Sequence, residues 1–236
     1  MERVLNELVE RLKKAHPDGL VSVVLYGSAA VGDHHGRFSD INILCVLKQV
    51  TPRELAASAP VFQWWQKLGN PSPLLLSIEE VRTSTDCFPI EFHDIQERHR
   101  ILFGEDVVQD LEVDDRFYRA QVEHELRAKL LRLRQRGACV LADRMLLLQL
   151  MAESLSTFCV LIRHALRLSG AEAPHAKREI VDQGAKVFGL NPEPLHTLLD
   201  LREQKRKPKQ IEAQALFENY LKQIEAVVEA VDRLET

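Results

Sequence analysis

The chain has 236 residues, 45% hydrophobic and 28% charged, which is long enough for one large or two modest folded domains. Its formal net charge of -4 gives no general attraction to nucleic acid, so nucleic acid is not an expected partner. The four scattered cysteines form no CxxC pair, which argues against a disulfide framework or a zinc site. The N-terminal segment reads as an amphipathic helix, and the most apolar run, residues 145–151, is far short of a membrane span. We therefore expect a cytoplasmic protein that has no contact with a membrane.

The N-terminal part of the chain mixes helix and strand patterns. Its predicted elements are a helix that ends at His16, strands over 20–28 and 40–47, a helix over 52–68 interrupted by Pro60, a strand over 73–77, a short helix over 79–87 and a strand over 89–95. After Gly104 only helical patterns follow, over 117–136, 139–168, 176–187, 194–202 and 211–234. The sequence therefore predicts a mixed α+β domain over residues 1–108 and an all-α helical bundle over 109–236. The apolar helices suit an internal core or a homodimer interface, and the sequence leaves both open.

The segment LYGSAAVGDHHGRFSDINILCVL joins two of the predicted strands. Gly27 permits a close backbone approach at the end of the first strand, and the hydroxyl of Ser28 and the adjacent amides suit a phosphate. Asp40 and Asn42 share one face of the second strand, because side chains alternate across a strand. Two oxygen-bearing side chains on one rigid strand are suited to a hard cation such as Mg²⁺.

This segment resembles the nucleotidyltransferase superfamily, in particular its aminoglycoside-nucleotidyltransferase-like branch. The family pattern is an apolar strand, Gly-Ser or Gly-Gly, about a dozen residues, and Asp-apolar-Asp on a second strand. Gly27 and Ser28 match the phosphate-holding pair, and Asp40 matches the first metal-binding acid. The resemblance covers roughly residues 20–104, and it implies an N-terminal nucleotidyltransferase domain with a C-terminal helical domain. It also implies Mg²⁺-dependent transfer of a nucleoside monophosphate from an NTP, with ATP the expected one, to a hydroxyl of a small acceptor.

The departure from the family pattern is Asn42, which occupies the place of the second acid. An amide oxygen can coordinate a metal but supplies no negative charge, so NTP binding should survive this change more readily than transfer. The family's third carboxylate sits on a later strand. In the predicted strand over 89–95, Glu91 faces the site, and Asp94 takes its place if the register slips by one residue. The resulting metal ligands are Asp40, Asn42 and Glu91.

Several other residues have alternative interpretations. Either Glu91 or Glu123 would take the acceptor proton. Glu123 on the first helix of the second domain resembles the family's general base, or it is an exposed helix acid. Arg37 either contacts the triphosphate or is a charged loop residue exposed to solvent. The adjacent His34 and His35 are only weak evidence for a metal site. The Arg119-x4-His124 spacing found in some helical ribonuclease domains, and the basic segment over 205–209, are more typical of solvated surface.

Two functions follow from these residues. The first is an enzyme whose partners are a nucleotide and a small-molecule acceptor. The second is a catalytically impaired nucleotide-binding or protein-interaction module that keeps the fold. A third and weaker hypothesis is an antitoxin-like partner of a helical ribonuclease. It rests only on functions found among other members of the superfamily.

Overall fold

The computed structural model describes residues 1–31 and 41–234, and for Ser28 and Val31 it describes the backbone only. These residues form two compact units, residues 1–117 and 118–236. The first unit combines a small sheet with helices and the second is helical. The predicted fold class, an α+β domain followed by an all-α region, is therefore confirmed.

The sheet of the first unit has four strands within the described residues, in the order β3-β2-β1-β4. Their bounds are β1 Leu20–Tyr26, β2 Asn42–Leu47, β3 Leu74–Ser77 and β4 His99–Gly104. β1 runs antiparallel to both β2 and β4, whereas β2 and β3 are parallel. The β1–β2 register pairs Tyr26 with Asn42, so the end of the first strand lies directly beside the start of the second.

Helices cover both faces of this sheet. Their bounds are α1 Glu2–Ala15, α2 Pro52–Lys67, α3 Ile78–Thr83 and α4 Pro89–Glu97. Val23 and Leu25 of β1 pack with residues of α1 and α2, whereas Val24 packs on the opposite face with Phe92 and Ile95 of α4. This alternation follows from the two-residue repeat of a strand and gives each face its own apolar core. α2 continues through Pro60, so the predicted interruption does not occur.

The prediction of a strand over 89–95 is wrong, because these residues form most of α4. Pro89 occupies the first helical turn, where its missing N–H costs no hydrogen bond. Phe92 and His93 are consecutive and both buried, a pattern that fits a helix and not a half-exposed strand. The strand that follows is β4, which the sequence analysis did not identify.

The second unit consists of helices around a central one. Their bounds are α5 Tyr118–Val140, α6 Arg144–Leu168, α7 Lys177–Phe188, α8 Glu193–Arg202 and α9 Ala213–Asp232. A single helix predicted over 139–168 is divided by a turn, and the Asp143 carboxylate caps α6 by accepting from the N–H groups of Met145 and Leu146. By length and composition α6 also passes as a membrane span, but 56% of its most apolar window is buried within the protein. The core helix of a helical bundle, which is mostly buried, passes the same test of length and composition.

Candidate active site

The turn after β1 is built around Gly27, whose φ of 75° lies in the left-handed region that favours glycine. Its N–H donates to the carbonyl of Arg98 at 2.9 Å, just before β4 begins. A short 3-10 helix over Gly27–Val31 follows directly. Because the Gly27 N–H is already used by the protein, any phosphate at this turn would be held by the amides after it.

Asn42 lies beside this turn. A Cβ added to Gly27 would come within 3.2 Å of the Asn42 Nδ2 atom. Leu44 and Val46 of β2 face the core on the α4 side of the sheet, so the alternation of the strand puts Asn42 on that side too. Its cross-strand partner Tyr26 packs against the same core. The polar ends of these two side chains therefore belong to one face of the sheet.

Glu91 lies in the first turn of α4 and is exposed. Burial, and then the negative charge of Glu91, raise the pKa of Tyr26 to about 12. The charge of Glu91 thus acts on the Tyr26 hydroxyl, although Glu91 lies on a helix and not on the predicted strand. Asp94, the predicted alternative, is half-buried on the same helix. Tyr26, which directly precedes Gly27, was not singled out by the sequence analysis.

The two described strands after β2 carry no carboxylate, since β3 reads LLLS and β4 reads HRILFG. At the start of β4, His99 pairs with Tyr26 across the strands. The imidazole of His99 lies 3.0 Å from Asp106 Oδ2 through Nε2 and 3.0 Å from the Ile95 carbonyl through Nδ1. Both ring nitrogens thus have partners within the first unit, and the contact with the Ile95 carbonyl links the start of β4 to α4.

The other predicted site residues of the first unit belong to the loop between β1 and β2. Asp40, Arg37, His34 and His35 lie outside the described residues, as does the side chain of Ser28. Among the residues that are described, no group of three His, Cys, Asp or Glu side chains is arranged to hold a metal ion. Asn42 and Glu91 carry an amide oxygen and a carboxylate, which are donors suited to Mg²⁺.

In the second unit, Glu123 is held by two arginines of its own helix. Its carboxylate accepts from Arg119 Nη1 at 2.9 Å and from Arg127 Nε at 2.7 Å. The bond to Arg127, followed by that to Arg119, holds the pKa of Glu123 below its ordinary value. Arg119 also donates to the carbonyl of Val231, and His124 is exposed. A carboxylate stabilised in this way is a weak proton acceptor.

Comparison with solved structures gives a match to the spectinomycin adenyltransferase AAD(9) from Enterococcus faecialis, determined with ATP and spectinomycin. The match has a TM-score of 0.57 at 12% identity and covers 93% of this chain and 98% of that chain. A toxin-antitoxin structure with AMP-PNP matches 43% of this chain and 74% of its own at 19% identity, and its TM-score of 0.31 supports no conclusion. No curated protein matches this chain.

The AAD(9) match shows that the two chains share a fold. Residues 5–134, more than half of the chain, match the model of the nucleotidyltransferase domain. That span includes the turn at Gly27, Asn42 and α4. The chain therefore belongs to the nucleotidyltransferase domain family.

Proposed function

We propose that the protein transfers a nucleoside monophosphate from an NTP, with ATP the expected one, to a hydroxyl of a small acceptor in a Mg²⁺-dependent reaction. The observation that carries this proposal is the position of Glu91. Its carboxylate is close enough to the end of β1 to raise the pKa of Tyr26, and α4 packs on the sheet face to which Asn42 belongs. In this proposal α4 supplies the third carboxylate, which the family takes from a strand.

Asp40, Asn42 and Glu91 would hold Mg²⁺ in this proposal. The metal would neutralise triphosphate charge and lower the pKa of the attacking hydroxyl. Asn42 supplies an oxygen without a charge, so two carboxylates stand where the family has three. The missing negative charge favours an enzyme that still binds NTP but transfers the nucleotide slowly.

The other residues of the site have separate roles in this proposal. Gly27 lets the triphosphate approach the backbone because it has no side chain, and the Ser28 hydroxyl and the amides of the 3-10 helix hold the phosphates. Arg37 contacts the triphosphate. In this proposal Glu91 takes the acceptor proton instead of Glu123, because the hydrogen bonds from Arg119 and Arg127 lower the proton affinity of Glu123.

The test is an assay of ATP turnover with a panel of hydroxylated acceptors, in which Glu91→Gln is compared with Glu79→Gln. Glu79 is a matched control, since it is an exposed acid in the first turn of the neighbouring helix α3. We expect Glu91→Gln to lower turnover by about a hundredfold or more, the scale of losing a positioned base, and Glu79→Gln to leave it unchanged. Equal turnover in both variants would remove Glu91 from the mechanism.

A second function, nucleotide binding without transfer, is favoured by a different observation. β3 and β4 carry no carboxylate and Asn42 replaces the second acid, so the described strands retain none of the family's three carboxylates. This function predicts that folded wild type binds Mg-ATP in calorimetry, that Asp40→Ala does not, and that no acceptor yields product. Product formed by the wild type would exclude it.

We also expect the protein to act in the cytoplasm, without membrane or nucleic-acid partners. A homodimer remains an expectation that light scattering can test. These expectations rest on the sequence and are independent of the choice between transfer and binding.

A further inference from the structure

A groove with a volume of about 400 Å³ runs between α5 and α9 on the surface of the helical unit. Ion pairs connect the two helices along it. Arg134 Nη2 lies 2.6 Å from Glu225 Oε1, and Arg127 Nη2 lies 3.3 Å from Asp232 Oδ1. Because the residue numbers rise along α5 while they fall along α9, the two helices are antiparallel.

The two walls of this groove carry opposite charges. Arg127 and Arg134 line it from α5, whereas Glu225 and Glu229 line it from α9. The exposed fraction of these four side chains ranges from 39% for Glu225 to 67% for Glu229. Each charge therefore still has a surface on which a group of another molecule can pair with it.

Between the charged walls the groove is apolar. Leu130 and Val228 line it as buried residues, and Leu131 lines it with 57% of its surface exposed. Single exposed leucines are common on protein surfaces, but this one lies within an apolar concavity that has a charged rim. An apolar centre surrounded by a polar rim is the typical layout of a protein–protein interface.

The charges of this groove are complementary to those of the same groove on a second copy of the chain. A twofold axis parallel to the two helices lays α5 of one copy on α9 of the other and keeps the positions along the helices. Arg134 then faces the partner's Glu225, and Arg127 faces the acids near the C-terminal end of the partner's α9. A twofold axis perpendicular to the helices within the interface would instead bring the two arginine walls together, which is unfavourable.

This face is also large enough for a stable dimer. α5 has 23 residues and α9 has 20, so the two helices are about 30 Å long at a rise of 1.5 Å per residue. Two adjacent helices present a face about 20 Å wide, so full contact would bury roughly 600 Å² of each copy, or about 1,200 Å² in total. Specific protein–protein interfaces begin at about this size.

We propose that the groove between α5 and α9 is the interface of a homodimer, in which α5 of each copy packs on α9 of the other. The two Leu131 side chains lie at the same level along the twofold axis and fill the apolar centre. The arginines and glutamates of the walls pair across the interface on both sides of it. This arrangement extends the helical unit into a layer of four helices, and it does not depend on nucleotide transfer.

The first test is the dissociation constant of the dimer, measured by sedimentation equilibrium on the folded full chain. Leu131→Glu places a charge in the apolar centre of the groove. Leu146→Glu is the matched control, because Leu146 is a 48% exposed leucine of the same unit that lines a separate groove with Val140 and Leu150. Circular dichroism verifies that both variants are folded.

We expect a dimeric wild type, a dissociation constant that rises by about a hundredfold or more in Leu131→Glu, and no change in Leu146→Glu. A folded wild type that stays monomeric at high concentration would overturn the proposal. A dimer that is broken by Leu146→Glu and not by Leu131→Glu would overturn it too, since the interface would then lie at the start of α6.

The second test uses charge reversal to examine the twofold arrangement. Arg134→Glu and Glu225→Arg each place like charges at both copies of this contact, so each variant alone should dimerise about tenfold or more weakly than the wild type. In an equimolar mixture the two variants should form a heterodimer, because opposite charges then face each other at both contacts. The ion pair within each chain stays broken in the mixture, so recovery reports contacts between copies. A mixture that dimerises no better than the single variants would overturn the arrangement.

Discussion

The side-chain amide of Asn42 packs directly against Gly27, with Nδ2 positioned 3.2 Å from where a Cβ on Gly27 would lie. The residue that replaces the family's second acid therefore contacts the turn that would hold the triphosphate. Substitutions at these two positions separate the effect of backbone strain from the effect of site chemistry.

Gly27→Ala should destabilise the protein by about 1–2 kcal/mol, because its φ of 75° disfavours a side chain, and it should also weaken NTP binding. Gly69→Ala is the matched control, since Gly69 has a φ of 87° and open space around its Cβ position. Thermal denaturation should give similar losses for the two variants, and calorimetry with Mg-ATP should give a loss of affinity for Gly27→Ala alone. Unchanged affinity in Gly27→Ala would argue against phosphate binding at this turn.

Asn42→Asp should increase the stabilisation by Mg²⁺, because it restores a carboxylate at the position of the second metal-binding acid. The measurement is the change in Tm between metal-free and Mg²⁺-containing buffer. Asn219→Asp on the exposed side of α9 in the second unit adds the same charge and should behave as the wild type. A Mg²⁺ response of Asn42→Asp no larger than that of Asn219→Asp would contradict a metal site at Asn42.

The sequence predicted those parts of the first unit in which periodicity and burial agree. β1 and β2 are short, largely apolar runs flanked by turn residues, so both strands were identified. α4 was misread because residues 90–93 alternate between apolar and polar side chains, and only tertiary packing reveals that Phe92 and His93 are both buried. Tyr26 was overlooked because its proximity to Glu91 depends on how α4 packs on the sheet.

Protonation of His16 should reduce stability on acidification. His16 is buried and its Nε2 lies 2.8 Å from Ser58 Oγ, and burial lowers its pKa below the ordinary 6.5, opposed by the charge of Glu54. The unfolded chain therefore binds a proton more readily than the folded protein does. The stability that neutral, buried His16 contributes is fully present above pH 6.5 and is lost as the pH falls from 6.5 toward the lower pKa of the folded state. Urea unfolding between pH 7.5 and 5.5 should show a smaller decline for His16→Gln than for the wild type. Parallel declines would exclude His16 as the source.

Glu123→Gln should change stability slightly and leave turnover unchanged. Its carboxylate is paired with Arg119 and Arg127, and such surface pairs are worth about 0.3–1 kcal/mol. Glu125→Gln, which breaks the pair with Lys129 on the same helix, is the control for the loss of one ion pair. Chemical denaturation and the acceptor assay should give similar results for the two variants. A hundredfold fall in turnover for Glu123→Gln alone would restore this residue as the general base.

Gly137→Ala should destabilise the helical unit although alanine is the better helix former. A Cβ at Gly137 in α5 would lie 2.3 Å from the Cζ atom of Phe217 in α9, so the ring would have to move within a packed core, at a cost of about 1–3 kcal/mol. In a Phe217→Leu background the same substitution should become neutral or stabilising by up to about 1 kcal/mol, the intrinsic preference of alanine over glycine in a helix. Urea unfolding of the four proteins in this double-mutant cycle measures the coupling between Gly137 and Phe217. Additive effects would mean that α5 and α9 pack less closely than these distances indicate.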